Sequence, residues 1–118
     1  SRKVLSAMLE SAGMTLIEAT DGGQAIAIIA DKGVPLDLVI TDLVMPVAGG
    51  EEVVAQTRAC RPGLPVVLMS GYAEGRLAEK VPGLNVPFVE KPVKRGKLLQ
   101  TVFDALDASE AGEIDSMR

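Results

Sequence analysis

Apolar positions fall along the chain in two alternating rhythms. Within 2–12, Val4, Leu5, Met8, Leu9 and Ala12 recur at the spacing of a one-faced helix, and Gly13 follows as a stop. "MTLIEA", residues 14–19, reads as a strand. Asp21 stands where an N-cap would, ahead of a second helical stripe over 22–32 made of Ala25, Ile26, Ile28 and Ile29, which Gly33 and Pro35 end. "LDLVIT" (36–41) is a continuous apolar strand. Glu51 and Glu52 then sit where a helix N-terminus favours negative charge, opening a helix through Cys60 that "RPGLP" breaks. "PVVLMS" is a third strand, 74–80 a short helix closed by Pro82 and Gly83, and "VPFVE" (86–90) a fourth strand. Leu98, Leu99, Val102, Phe103 and Leu106 give 94–107 the spacing of the first helix.

The predicted order is therefore α-β-α-β-α-β-α-β-α. Continuous apolar strands alternating with amphipathic helices predict an α/β fold, a doubly wound parallel sheet covered on both faces. No repeat or linker interrupts it, so residues 1–108 form one domain. The small, polar segment 109–118 is expected to be a C-terminal tail or linker.

Composition narrows the class. The chain has 118 residues, enough for a core of its own, and only three aromatics, Tyr72, Phe88 and Phe103, so Val, Leu, Ile, Met and Ala must fill it. Net charge is −4 and the basic residues nowhere cluster beyond the broken "KRGK" at 94–97, which argues against direct binding of nucleic acid or an anionic membrane. A lone Cys60 cannot form an internal disulfide, no apolar run approaches the ~18 residues of a spanning helix, and no secretory segment opens the chain; the expectation is a cytoplasmic setting. Histidine is absent, which removes the commonest general base. No G-x-G-x-x-G or GxxxxGK[ST] loop supports a nucleotide enzyme, since neither Gly22-Gly23 nor Gly49-Gly50 completes one.

Polar residues at strand ends carry the chemistry. Asp42 follows 36–41, Ser70 ends the third strand and Lys91 follows the fourth. In a doubly wound sheet the carboxyl ends of all strands reach one edge, where ligands bind. Singly, each has a bland reading: Asp42 as a turn cap, Ser70 as a turn residue before Gly71, Lys91 as a solvated loop lysine. Together they bring a carboxylate, a hydroxyl and an ammonium to one place. A carboxylate can attack phosphorus, while a hydroxyl and an ammonium can hold the phosphoryl oxygens. Such a site normally also needs Mg²⁺.

"DLVITDLVMP", "PVVLMSGYAEG" and "FVEKPV", in this order and spacing, resemble the receiver domain of two-component response regulators, over residues 2 to about 107. The loop wording is closest to receivers at the C-terminus of hybrid sensor kinases. The resemblance implies a flavodoxin-like (βα)5 architecture in which Asp42 is the phosphoacceptor, charged by a phosphohistidine on a sensor histidine kinase or histidine phosphotransfer domain. It implies that Ser70 is the switch hydroxyl, that Lys91 pairs with the phosphate, and that Phe88 is the aromatic whose rotamer follows Ser70. The backbone carbonyl of Val44 becomes a Mg²⁺ ligand, the Lys91–Pro92 bond is expected cis, and Val44, Gly71 and Tyr72 flank the site and tune the lifetime of the phosphoryl group. The domain is then a switch and not an enzyme, beyond self-catalysed phosphotransfer and dephosphorylation. Residues 74–107 become the switching face, with a dimer through it left open.

One departure stands out. Receivers begin with a strand ending in an acidic pair that holds Mg²⁺ with the phosphoacceptor, whereas this chain starts in the first helix. Strand and acids are expected upstream of Ser1. In the family that strand lies between those at 14–19 and 36–41, so without it both would present unpaired edges. The alternative reading is a pseudo-receiver, an interaction module with the fold but no phosphoryl chemistry.

Overall fold

The computed structural model describes residues 2–116; Met117 and Arg118, the end of the expected tail, lie outside the described residues, as does Ser1. Eight elements follow in order: α1 (Arg2–Ser11), α2 (Gly22–Ala30), β1 (Val39–Asp42), α3 (Gly50–Cys60), β2 (Val66–Ser70), α4 (Glu74–Lys80), β3 (Phe88–Glu90) and α5 (Arg95–Ser116). The strands form a parallel sheet in the order β1-β2-β3, with Ile40 opposite Val67 and Met69 opposite Val89.

Strand β2 is central and wholly buried, and its alternation divides the core. Val67 faces a cluster with Leu9 of α1, Val89 of β3, and Leu98, Val102 and Ala105 of α5. Leu68 faces the other side, with Leu43, Leu77 of α4 and Val81. Helix α3 adds Val53, Val54 and Thr57, all buried; the Thr57 hydroxyl donates to the Val53 carbonyl (2.7 Å), so its burial leaves no free donor. The α/β doubly wound arrangement expected from the apolar rhythm is the one observed.

One expectation needs correction. Residues 14–19 are not a strand: Met14 and Leu16 pack against the α1–α5 core as an inward-facing pair would, yet the backbone joins no ladder among the described residues. A strand exists only by its neighbours' hydrogen bonds. The sheet thus has three strands among the described residues, and β1 is one of its edges. At the end of the chain α5 continues through Ser116 and takes in most of the 109–118 segment expected to be tail or linker. "DALDASEA" holds three alanines and no proline, so nothing in it stops a helix already under way. Ser109 Oγ also donates to the Gly63 carbonyl, 3.1 Å away, tying that turn to the loop before β2.

Helix α2 is seated against the loop after β1. Asp21 caps it, its carboxylate accepting from the Gln24 amide at 2.8 Å, as the sequence led us to expect. Gly22 then passes so close to Ala48 that a Cβ there would stand 1.8 Å from the Ala48 carbonyl oxygen. Glycine is the residue that permits this approach.

Candidate functional site

Parallel register carries three polar side chains to the carboxyl edge of the sheet. Asp42 ends β1, Ser70 ends β2 opposite Glu90, and Lys91 is the first residue beyond β3. Backbone pairing runs one residue past the strands: Leu43 N–H donates to the Met69 carbonyl (2.9 Å) and Lys91 N–H to the Ser70 carbonyl (2.7 Å). The starting points of all three side chains are therefore fixed by sheet hydrogen bonds rather than by loops. The Lys91–Pro92 bond is cis.

Lys91 Nζ pairs with Asp42 Oδ1 across the gap between β1 and β3. The side chains remain 48 % and 34 % exposed, so the pair adds only about 0–1 kcal/mol to stability. Its interest lies elsewhere. Asp42 Oδ1 is itself buried, and no N–H or O–H among the described residues reaches it in hydrogen-bond geometry. The lysine is its sole partner there, which leaves a carboxylate oxygen able to exchange that partner for another.

Ser70 is buried, and its Oγ accepts from the Tyr72 amide (2.9 Å), with no hydrogen bond to Asp42. Thus Asp42 and Lys91 are in contact, whereas Ser70 is adjacent with its hydroxyl turned to the following loop. Val44 is 80 % exposed, and a Cβ on Gly71 would meet nothing within 4 Å, so neither crowds the edge. Phe88 is half-buried, packed against the cluster of Leu43, Leu68, Leu77 and Val81, and it lines a groove of about 740 Å³ between β3 and α5 that also includes Lys91, Lys94 and Lys97.

Three features escape a reading of the sequence. Gly50 opens α3 directly against the backbone of the site: a Cβ there would lie 2.6 Å from the Asp42 carbonyl oxygen and 2.9 Å from Leu43 Cα, and its N–H donates to the Leu43 carbonyl (2.8 Å). The only sequence hint is the doubled glycine before Glu51. The buried Thr41 hydroxyl donates to the Asp42 carbonyl at 3.1 Å. Lys80, at the far end of α4, places its ammonium 5.8 Å from the centroid of the Tyr72 ring.

A metal centre is not complete within the described residues, which include no group of three acidic, histidine or cysteine side chains able to hold one ion. Asp42 supplies one carboxylate, and a hard divalent cation takes several oxygens. No described helix is long and apolar enough to cross a membrane.

Residues 1–103 match the family model described as the response regulator receiver domain. The chain is 33 % identical over 100 residues to the sensor kinase CckA of Brucella abortus, an alignment covering 84 % of this chain and 11 % of the kinase, so it spans about a tenth of that relative. A response regulator receiver protein from Sinorhizobium medicae superposes with a TM-score of 0.77 at 27 % identity, covering 92 % of this chain and 89 % of that one. The receiver domain of a Pseudomonas aeruginosa sensor histidine kinase, with a magnesium ion coordinated in its active-site cleft, shares the fold with a TM-score of 0.74 at 24 % identity, covering 90 % and 88 %.

Proposed function

The chain belongs to the response regulator receiver family, and from that premise we propose that Asp42 is its phosphoacceptor, taking a phosphoryl group from a phosphohistidine on a sensor kinase or phosphotransfer domain in the cytoplasm. The observation that carries this reading is the Asp42–Lys91 ion pair at the carboxyl edge of the sheet, with Ser70 on the strand between.

A carboxylate oxygen of Asp42 attacks phosphorus as the P–N bond to the donor imidazole breaks, and the imidazole leaves neutral once it has taken a proton. Lys91, already beside the carboxylate, neutralises the incoming charge. Ser70 turns its hydroxyl from the Tyr72 amide to a phosphoryl oxygen. Phe88 follows into the vacated space, changing the surface of β3 and α5 as two states exchange population. Neither Val44 nor Tyr72 offers a carboxylate, imidazole or amide to orient water, so the acyl phosphate is expected to hydrolyse slowly.

Ser70→Ala is expected to retain phosphoryl transfer while weakening the change in partner affinity that follows it, by about 1–3 kcal/mol, the usual size of such coupling. Partner binding to phosphorylated and unphosphorylated forms, measured by calorimetry, checks this; an unaltered difference removes Ser70 from the switch.

When bound, Mg²⁺ would offset phosphoryl charge. Asp42 and the Val44 carbonyl are its proposed ligands in this chain, too few to hold it well. The 118-residue chain is therefore expected to bind Mg²⁺ weakly in a calorimetric titration. Saturation at micromolar Mg²⁺ would show that a further ligand set exists.

A further inference from the structure

Tyr72 is 37 % exposed and flanks the site, and a charged side chain from the opposite end of α4 lies over its ring. Lys80 Nζ stands 5.8 Å from the ring centroid, within the range of a cation–π contact. No carboxylate among the described residues pairs with Lys80. The Tyr72 amide meanwhile donates to Ser70 Oγ. One residue is therefore held from two sides: its backbone by the hydroxyl on β2, its ring by the last turn of α4.

Helix α4 has little else to anchor it. It is seven residues long, its N-cap Ala73 makes no side-chain cap bond, and Leu77 is its only buried residue among those described. Gly75 weakens it further. A contact of modest strength can bias the position of so lightly held an element.

We propose that Lys80 is a positioning residue: by holding the Tyr72 ring along α4 it keeps the Tyr72 amide on Ser70 Oγ, and so biases the domain toward its unphosphorylated arrangement. The inference rests on the phosphoacceptor reading above. When Ser70 turns toward a phosphoryl group on Asp42 it gives up the Tyr72 amide, the loop 71–73 shifts, and the ring moves off Lys80. The Lys80 contact opposes that sequence, and releasing it favours the phosphorylated state.

The test has two arms. Tyr72 is the chain's only tyrosine and tryptophan is absent, so intrinsic fluorescence of the 118-residue chain reports on this ring alone. Lys80→Met, which keeps the aliphatic length and removes the charge, is expected to increase quenching by acrylamide, and Lys80→Arg to leave it at the parent's level. In the full-length protein with Mg²⁺ and phosphoramidate, Lys80→Met is expected to raise the ratio of phosphorylated to unphosphorylated protein at steady state by about two- to fivefold, the range a partly exposed cation–π contact can shift. Lys80→Arg should restore the parent's ratio, and Lys80→Met should have no effect in a Tyr72→Leu background. A parent that is phosphorylated, with Lys80→Met indistinguishable from it in either arm, overturns the role of Lys80 and leaves the phosphoacceptor reading intact. A parent that takes no phosphate overturns both.

Discussion

Asp42→Asn is expected to abolish acceptance of phosphate altogether while leaving the fold in place. The amide keeps the size of the carboxylate but is no nucleophile toward phosphorus, and it forfeits the charge that draws Lys91 across the gap. Because the ion pair is half-exposed, its loss costs at most about 1 kcal/mol, so a circular dichroism melt should barely move. That combination separates chemistry from packing: transfer from a cognate phosphohistidine in the full-length protein falls to background, with the melting transition of the parent retained.

Gly50→Ala is expected to act in the opposite way, damaging fold and site together. Replacing glycine by alanine in a helix ordinarily gains up to about 1 kcal/mol. At Gly50 the new methyl would stand 2.6 Å from the Asp42 carbonyl oxygen and 2.9 Å from Leu43 Cα, backbone atoms that cannot step aside as a flexible side chain could. Overpacking of this kind costs about 1–3 kcal/mol, so the clash wins. Helix α3 must back away, loosening the 2.8 Å bond from Gly50 N–H to the Leu43 carbonyl that holds its start beside the phosphoacceptor. Urea denaturation should show a lower midpoint, with phosphoryl acceptance falling in step. A midpoint at or above the parent's would mean that helix propensity outweighs the contact.

The helices and the polar triad are legible in the sequence for the same reason: each is fixed by local periodicity plus one topological rule. The stripes of α1 and α5 announce their buried faces, and the rule that parallel strands end at one edge is enough to gather Asp42, Ser70 and Lys91 without knowing a single distance. What lies between elements is not announced. "MTLIEA" reads as a strand, and Met14 and Leu16 do pack inward, but whether a segment joins a sheet depends on a neighbour that its own residues do not specify. The approach of Gly50 to Asp42 depends on how α3 docks, and the meeting of Lys80 with Tyr72 on how α4 lies. The reach of α5 into 109–116 is not announced either, because small polar residues suit a tail and a helix almost equally, and an element already nucleated continues through them at little cost.

Reductive mapping of the phosphorylated residue decides whether Asp42 is the phosphoacceptor. The full-length protein is charged from a phosphohistidine donor with Mg²⁺, treated with borohydride to convert any acyl phosphate to the alcohol, and digested for mass spectrometry. Homoserine is expected in place of aspartate at position 42 and at no other carboxylate of the chain. Conversion at another Asp or Glu, or a borohydride-stable phosphate on Ser70, would contradict it.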